Sequence, residues 1–123
     1  QPDDSEADKT LKENNPALYD AWKFQRALQS DDKAGLEGLT SSKSSVIADL
    51  ASYELAAINK DKSALNAYAL NQNAVLKDLA VLNEAVLLMQ DGKTEEAKAR
   101  LAMIDERSPL KKLSMLLQHY GVQ

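Results

Sequence analysis

The side chains of this chain that could do chemistry are few and dispersed. His119 is the only histidine and there is no cysteine. That excludes a thiolate nucleophile, a disulfide and a Cys-ligated metal. A zinc site would need three carboxylates around one imidazole, an uncommon donor set. His119 falls near the end of the last helical segment, where an exposed or capping imidazole is the expected role. Two adjacent acid pairs, Asp31-Asp32 and Glu95-Glu96, have the composition of a general acid and base. Neighbouring residues on a helix point apart, however, and both pairs stand at helix starts, where free N–H groups and the helix dipole account for negative charge. Ser41, Ser42, Ser44 and Ser45 have no base beside them and read as a linker whose last members cap a helix. Gly35-Leu36-Glu37-Gly38 is too short and follows no strand, so it is not a phosphate loop. No catalytic residue, metal site or cofactor is expected, and the chain reads as a non-enzyme.

The composition describes the scaffold that any other function must use. The chain has 123 residues, enough for one domain burying roughly two-thirds of its unfolded surface. Apolar residues make up 44% but aromatics only 5%, so the core has to be built from Ala, Leu, Val and Ile. Four Gly and three Pro punctuate a sequence rich in helix formers, and no period-two alternation suggests a strand. Nineteen acids against 15 bases give a net charge of −4, without the basic footprint a phosphate backbone requires, so no nucleic-acid partner is expected. Lys111-Lys112 is the closest approach to one and reads as a solvated doublet. No apolar run is long enough to cross a bilayer. The chain opens Gln1-Pro2-Asp3-Asp4 without an initiator Met, which reads as a processed or truncated product missing an upstream signal or anchor.

Residues 1–14 are polar and acid-rich, with Leu11 the one large apolar side chain, and are expected to be a tether or a frayed helix. Asn15-Pro16 is a helix start, Asn capping and Pro at the first helical position. The helix should run to Ser30, with Trp22 anchoring the N-terminal core. Asp31-Asp32 should cap a short helix over 33–39. Further helices are expected over 46–59, 63–71, 74–90 with Asn73 as cap, and 95–106. A last one starts at Ser108-Pro109, with Leu110, Leu113, Leu116 and Leu117 as its inward stripe and Gly121 as its end. Gln90-Asp91-Gly92-Lys93-Thr94-Glu95-Glu96-Ala97 is the clearest hairpin connection: Gly92 can take the left-handed conformation, Thr94 can cap, and Ala97 lets two helices approach.

That connection recurs. Gly92 stands five residues before Ala97 and Asn59 five before Ala64, with Leu101 and Tyr68 four further on. The offset of 33 residues is close to the tetratricopeptide period of about 34. In the segment 78–111, Ala85, Gly92, Ala97 and Pro109 occupy the small, turn, small and proline places of that family's pattern, with Leu88, Leu101 and Ile104 at apolar places. An earlier copy keeps Ser52, Leu55, Ala64 and Tyr68, and the Asp31-Asp32-Lys33-Ala34 turn is a degenerate third. On these residues the chain resembles a tetratricopeptide-repeat domain. More narrowly, Ala17 to Ala27, Ile47-Ala48-Asp49-Leu50-Ala51-Ser52-Tyr53-Glu54-Leu55-Ala56 and Leu79 to Ile104 resemble the periplasmic domain of the ancillary Sec-translocon subunit family. The resemblance implies an all-α, right-handed, tetratricopeptide-like stack of six or seven antiparallel helices over 15–123. It also implies a periplasmic location, an inner-membrane anchor absent from this chain, and work near secreted-protein traffic and chaperones. These blocks are scaffold, and no functional side chain carries over with them.

The remaining candidate is hydrophobic. In the tetratricopeptide arrangement the first helix of each repeat lines the concave face. On the 74–90 helix Val81, Ala85 and Leu88 then take core positions, while Leu79, Leu82, Val86 and Met89 fall on the groove side, joined by Tyr53, with Tyr68 also suited to such a surface. Burial by flanking helices is the competing account of the same stripe. The expected function is a non-catalytic protein–protein interaction module holding a peptide or unfolded segment. The alternative is a structural self-association domain, a homodimer, using the stripe as its interface.

Overall fold

In the computed structural model, which describes residues 6–121, every regular element is helical. Eight helices follow one another: α1 (Glu6–Asn14), α2 (Pro16–Ser30), α3 (Lys33–Leu39), α4 (Ser45–Ile58), α5 (Lys62–Ala69), α6 (Lys77–Gln90), α7 (Thr94–Leu101) and α8 (Lys111–Tyr120). The protein is all-α. Residues 1–5 of the polar segment, and residues 122–123, lie outside the described residues.

Local chemistry sets most of the boundaries. Asn15 Oδ1 accepts from the Leu18 N–H at 3.1 Å with Pro16 at the first helical position, so α2 starts where the sequence predicts. Asp32 caps α3 through the Gly35 N–H at 2.9 Å, and Asp61 caps α5 through the Ala64 N–H at 3.0 Å. Gly35 leaves room for its neighbour: a Cβ there would come within 2.7 Å of the Asp32 carboxylate, which would have to shift. Ser44 Oγ accepts from the Ile47 N–H at 3.3 Å at the start of α4.

Three hairpin loops close in the same way. The first or second residue after the helix adopts the left-handed conformation: Asp31 (φ 52°), Lys60 (φ 50°) and Gly92 (φ 81°). The next N–H then reaches back five residues to a carbonyl, Asp32 to Ala27 at 3.0 Å, Asp61 to Ala56 at 3.0 Å and Lys93 to Leu88 at 2.8 Å. This is the Schellman closure, which satisfies carbonyls that a helix end leaves without partners. The left-handed position in the second loop is Lys60, one residue beyond the Asn59 expected from the sequence.

Three boundary expectations are corrected. Asn73 does not cap α6: its N–H donates to Asn71 Oδ1 at 2.9 Å, the Tyr68 hydroxyl accepts from the Leu76 N–H at 2.9 Å, and the helix begins at Lys77. Thr94 is the first residue of α7 rather than its cap, and Lys93 at the cap position supplies no side-chain hydrogen bond. The 95–106 helix stops at Leu101, because Met103 and Ile104 donate to Arg100 and Leu101 in tight turns and Asp105 draws the Arg107 N–H to its side chain at 2.7 Å.

The chain resolves into two compact units that divide within α4, after Leu55. In the first, α1 packs on α2 and α2 on α3. Leu39, Ile47 and Ala51 form a core cluster joined by Ala21 and Phe24, and Leu36 and Tyr19 are also buried. Trp22 is not the anchor expected of it. It is half-buried beside Tyr19, and the Arg26 guanidinium stacks 4.7 Å over its ring, so its outer face meets a cation rather than the core. In the second unit α5, α6, α7 and α8 pack in succession. Leu82, Ala85, Leu88, Ala97, Leu101 and Ile104 form the core, with Ala85 and Ala97 wholly buried where α6 and α7 approach.

Candidate functional site

Helix α6 is packed by α5 and by α7, and that decides the fate of the expected groove. Ala80, Leu82, Glu84, Ala85 and Leu88 are all buried, and these positions cover more than one face of the helix. Leu82 is 8% exposed and belongs to the core; Leu79 and Met89 pack against that core, and Val86 is half-buried. Tyr53, 5% exposed, is interior in the first unit. Leu82 and Tyr53 are therefore corrected from groove residues to interior residues. A stripe on α6 faces a groove only if no neighbouring helix covers it, and Leu82 instead shares a core cluster with Ala97 and Leu101 of α7.

Among the described residues of this unit the one buried charged side chain is structural. Glu84 Oε2 accepts from Arg100 Nη1 at 2.6 Å and its other oxygen lies 3.4 Å from Asn66 Nδ2, so a single carboxylate links α5, α6 and α7. Glu96 adds a weaker contact to Arg100 at 3.7 Å. Asp31 and Asp32 serve a turn and a cap, and Glu95 and Glu96 are exposed in the first turn of α7. His119 is exposed and meets the Tyr120 ring edge-on, centroids 4.8 Å apart. Among the described residues no group of three or more acids or histidines is placed to hold a metal ion. No helix among them is long and apolar enough to cross a membrane.

The apolar surface lies on α8 instead. Ser114 is wholly buried, its hydroxyl donating to the Leu101 carbonyl at 3.0 Å, and Leu117 packs on the core. Lys111 Nζ donates to the Ile104 carbonyl at 3.0 Å and lies 3.5 Å from Glu106. These contacts fix the rotation of the helix about its axis. They turn Leu113, Met115, Leu116 and Tyr120 outward, 44, 57, 50 and 71% exposed. Pro109, Lys112, Met115, Leu116, His119 and Tyr120 border an open cleft of about 610 Å³. Sequence reading placed Leu113 and Leu116 inward and missed this face. The available signal was that Lys112, Met115, Leu116 and His119 share one stripe at helical spacing while Ser114, Leu117 and Gly121 share the opposite one, giving a short helix two faces that both carry leucine.

The molecule is thus an all-α protein of helical hairpins with an apolar outer face on its last described helix. Comparisons with family models, with curated proteins and with solved structures return no match to the chain.

Proposed function

We propose that the chain is a non-catalytic protein-interaction module whose binding surface is the outer face of α8. The observation that carries this reading is the gathering of Leu113, Met115, Leu116 and Tyr120 on one exposed side of a helix whose other side is pinned to the core. Contiguous apolar patches of more than a few hundred Å² are rare on monomers and mark interaction sites. Methionine and tyrosine suit an adaptable surface, one through flexibility and the other through an apolar body with a polar tip. A peptide or unfolded segment is the occupant such a surface accepts.

The tetratricopeptide-like reading is supported by the threefold recurrence of one hairpin closure, at Asp31, Lys60 and Gly92. Under the narrower resemblance, the module works in the periplasm on an inner-membrane anchor, near secreted chains that still lack a fold. The binding reading is tested with a fluorescent, carboxymethylated polypeptide that cannot fold, titrated with the chain and followed by anisotropy. Met115→Asp and Leu116→Asp should each remove binding with the far-ultraviolet circular dichroism unchanged. Binding that survives both substitutions would rule out α8 as the surface.

A further inference from the structure

We infer that the outer face of α8 takes a second copy of this chain, the two α8 helices crossing antiparallel at Leu116. A second copy is an occupant the molecule itself supplies, beyond the unfolded segment of the binding reading. Lys112, Leu116 and Tyr120 lie four residues apart and form one ridge of the helix. A two-fold axis through Leu116 sets Lys112 of each copy opposite Tyr120 of the other. Tyr120 is 71% exposed and held edge-on by His119, so its ring is open to an ammonium group. The pairing is made twice, once at each end, with leucine meeting leucine between.

The helix termini give the same orientation. The first turn of α8 holds Lys111 and Lys112 and no acid, so cations sit at the positive end of their own helix dipole. Lys111 is neutralised within its own chain by Glu106 and the Ile104 carbonyl. Lys112 has no such contact among the described residues, and an antiparallel copy brings it to the negative end of the partner helix. Net charge favours this part of the chain over the other. Eleven acids against six bases lie up to Leu55, whereas eight acids against nine bases follow it. Two copies meeting through the second unit bring together nearly neutral surfaces.

The patch size sets the strength. A stable homodimer buries about 800 Å² per partner with a mostly apolar centre. Four half-exposed apolar side chains on a ten-residue helix supply on the order of half of that. The pair therefore belongs at the weak, transient end, associating only towards the upper part of the micromolar range.

The absence of cysteine makes the test direct. Sedimentation of the unaltered chain from a few to several hundred micromolar should show a monomer–dimer equilibrium that stops at the dimer, since a two-fold contact closes. Lys112→Glu should raise the dimer Kd by about tenfold. Leu116→Cys, at the crossing point, should form an intermolecular disulfide under mild oxidation far faster than Val46→Cys, an exposed position in the other unit. A strict monomer, assembly beyond the dimer, or equal crosslinking at the two positions would each overturn the inference. A monomer that still captures the unfolded polypeptide through α8 leaves the binding reading standing without the dimer. A dimer that captures none removes the binding reading and keeps the dimer.

Discussion

Glu84 and Arg100, one turn-register apart on facing helices, join their side chains at 2.6 Å with the carboxylate 4% exposed and the guanidinium 28% exposed. The pair joins α6 to α7, which also meet through the wholly buried Ala85 and Ala97. A carboxylate this far from water is tolerable only with its charge partner in place.

The expected result of Arg100→Met is therefore a loss of about 2–3 kcal/mol, below the full cost of a wholly buried pair because the guanidinium is partly wet. Glu84→Gln should cost less, since the amide oxygen still accepts from Arg100. A Glu84→Met/Arg100→Met double variant should recover most of the single loss, because no charge is left behind. Urea unfolding followed by circular dichroism measures all three, and a double variant worse than Arg100→Met would refute the account.

Leu82 separates the two apolar surfaces. Leu82→Asp puts a carboxylate among Ala85, Leu88 and Leu101, and the expected cost is on the order of 4 kcal/mol or more. That is much of the stability of an ordinary domain, so the second unit should lose its cooperative thermal transition. Leu116→Asp places the same charge at a half-exposed position and should leave the transition in place. Calorimetry of the two variants side by side checks this, and a folded Leu82→Asp would return α6 to the surface.

The helices, and their punctuation at Asn15-Pro16, Asp32 and Gly92, were legible in the sequence because caps and left-handed turns are local. Asn15-Pro16, Asp32 and Gly92 act on backbone groups within five residues of themselves. The binding face was not legible, because it depends on which side of a helix its neighbours cover. Leu82 and Leu116 are equally apolar, and nothing near either one says that α7 covers the first while Ser114 and Leu117 claim the inner side of α8 from the second. Trp22 failed for a related reason: a large ring suggests the core until a cation four residues on is seen to cover it.

The Lys62–Asp91 bridge predicts a pH effect of definite sign. Lys62 Nζ lies 2.6 Å from Asp91 Oδ2, and the hydrogen bond and charge of Lys62 hold the Asp91 carboxyl below the usual carboxylate range. A depressed folded value means that the bridge favours the fold above the unfolded-state value, and the contribution is lost as the pH falls through the folded one. Asp91 likewise raises Lys62, so its share is present below the ordinary lysine value and lost in strong base. Carboxyl carbon NMR should show Asp91 titrating low in the unaltered chain and returning upward in Lys62→Met. Both side chains are solvent-exposed in part, so salt should shrink the shift. An Asp91 titration indifferent to residue 62 would dismiss the bridge.

The three shared loop closures allow one substitution to be judged against another. At Gly92 a Cβ would meet nothing within 4 Å, so Gly92→Ala carries no steric clash and its cost is the left-handed backbone alone, about 1 kcal/mol. Lys60 already bears that cost at φ 50° with the same five-residue hydrogen bond, from Asp61 to Ala56. Lys60→Gly relieves it and gives back part through the freer unfolded chain, for a net gain of roughly 0.5 kcal/mol. The Lys62–Asp91 bridge joins the two loops at 2.6 Å, so the effects of the two changes should couple in the double variant rather than simply add. Denaturant midpoints at unchanged slope measure this, and destabilisation by Lys60→Gly would mean that the loops are alike in geometry but not in energetics.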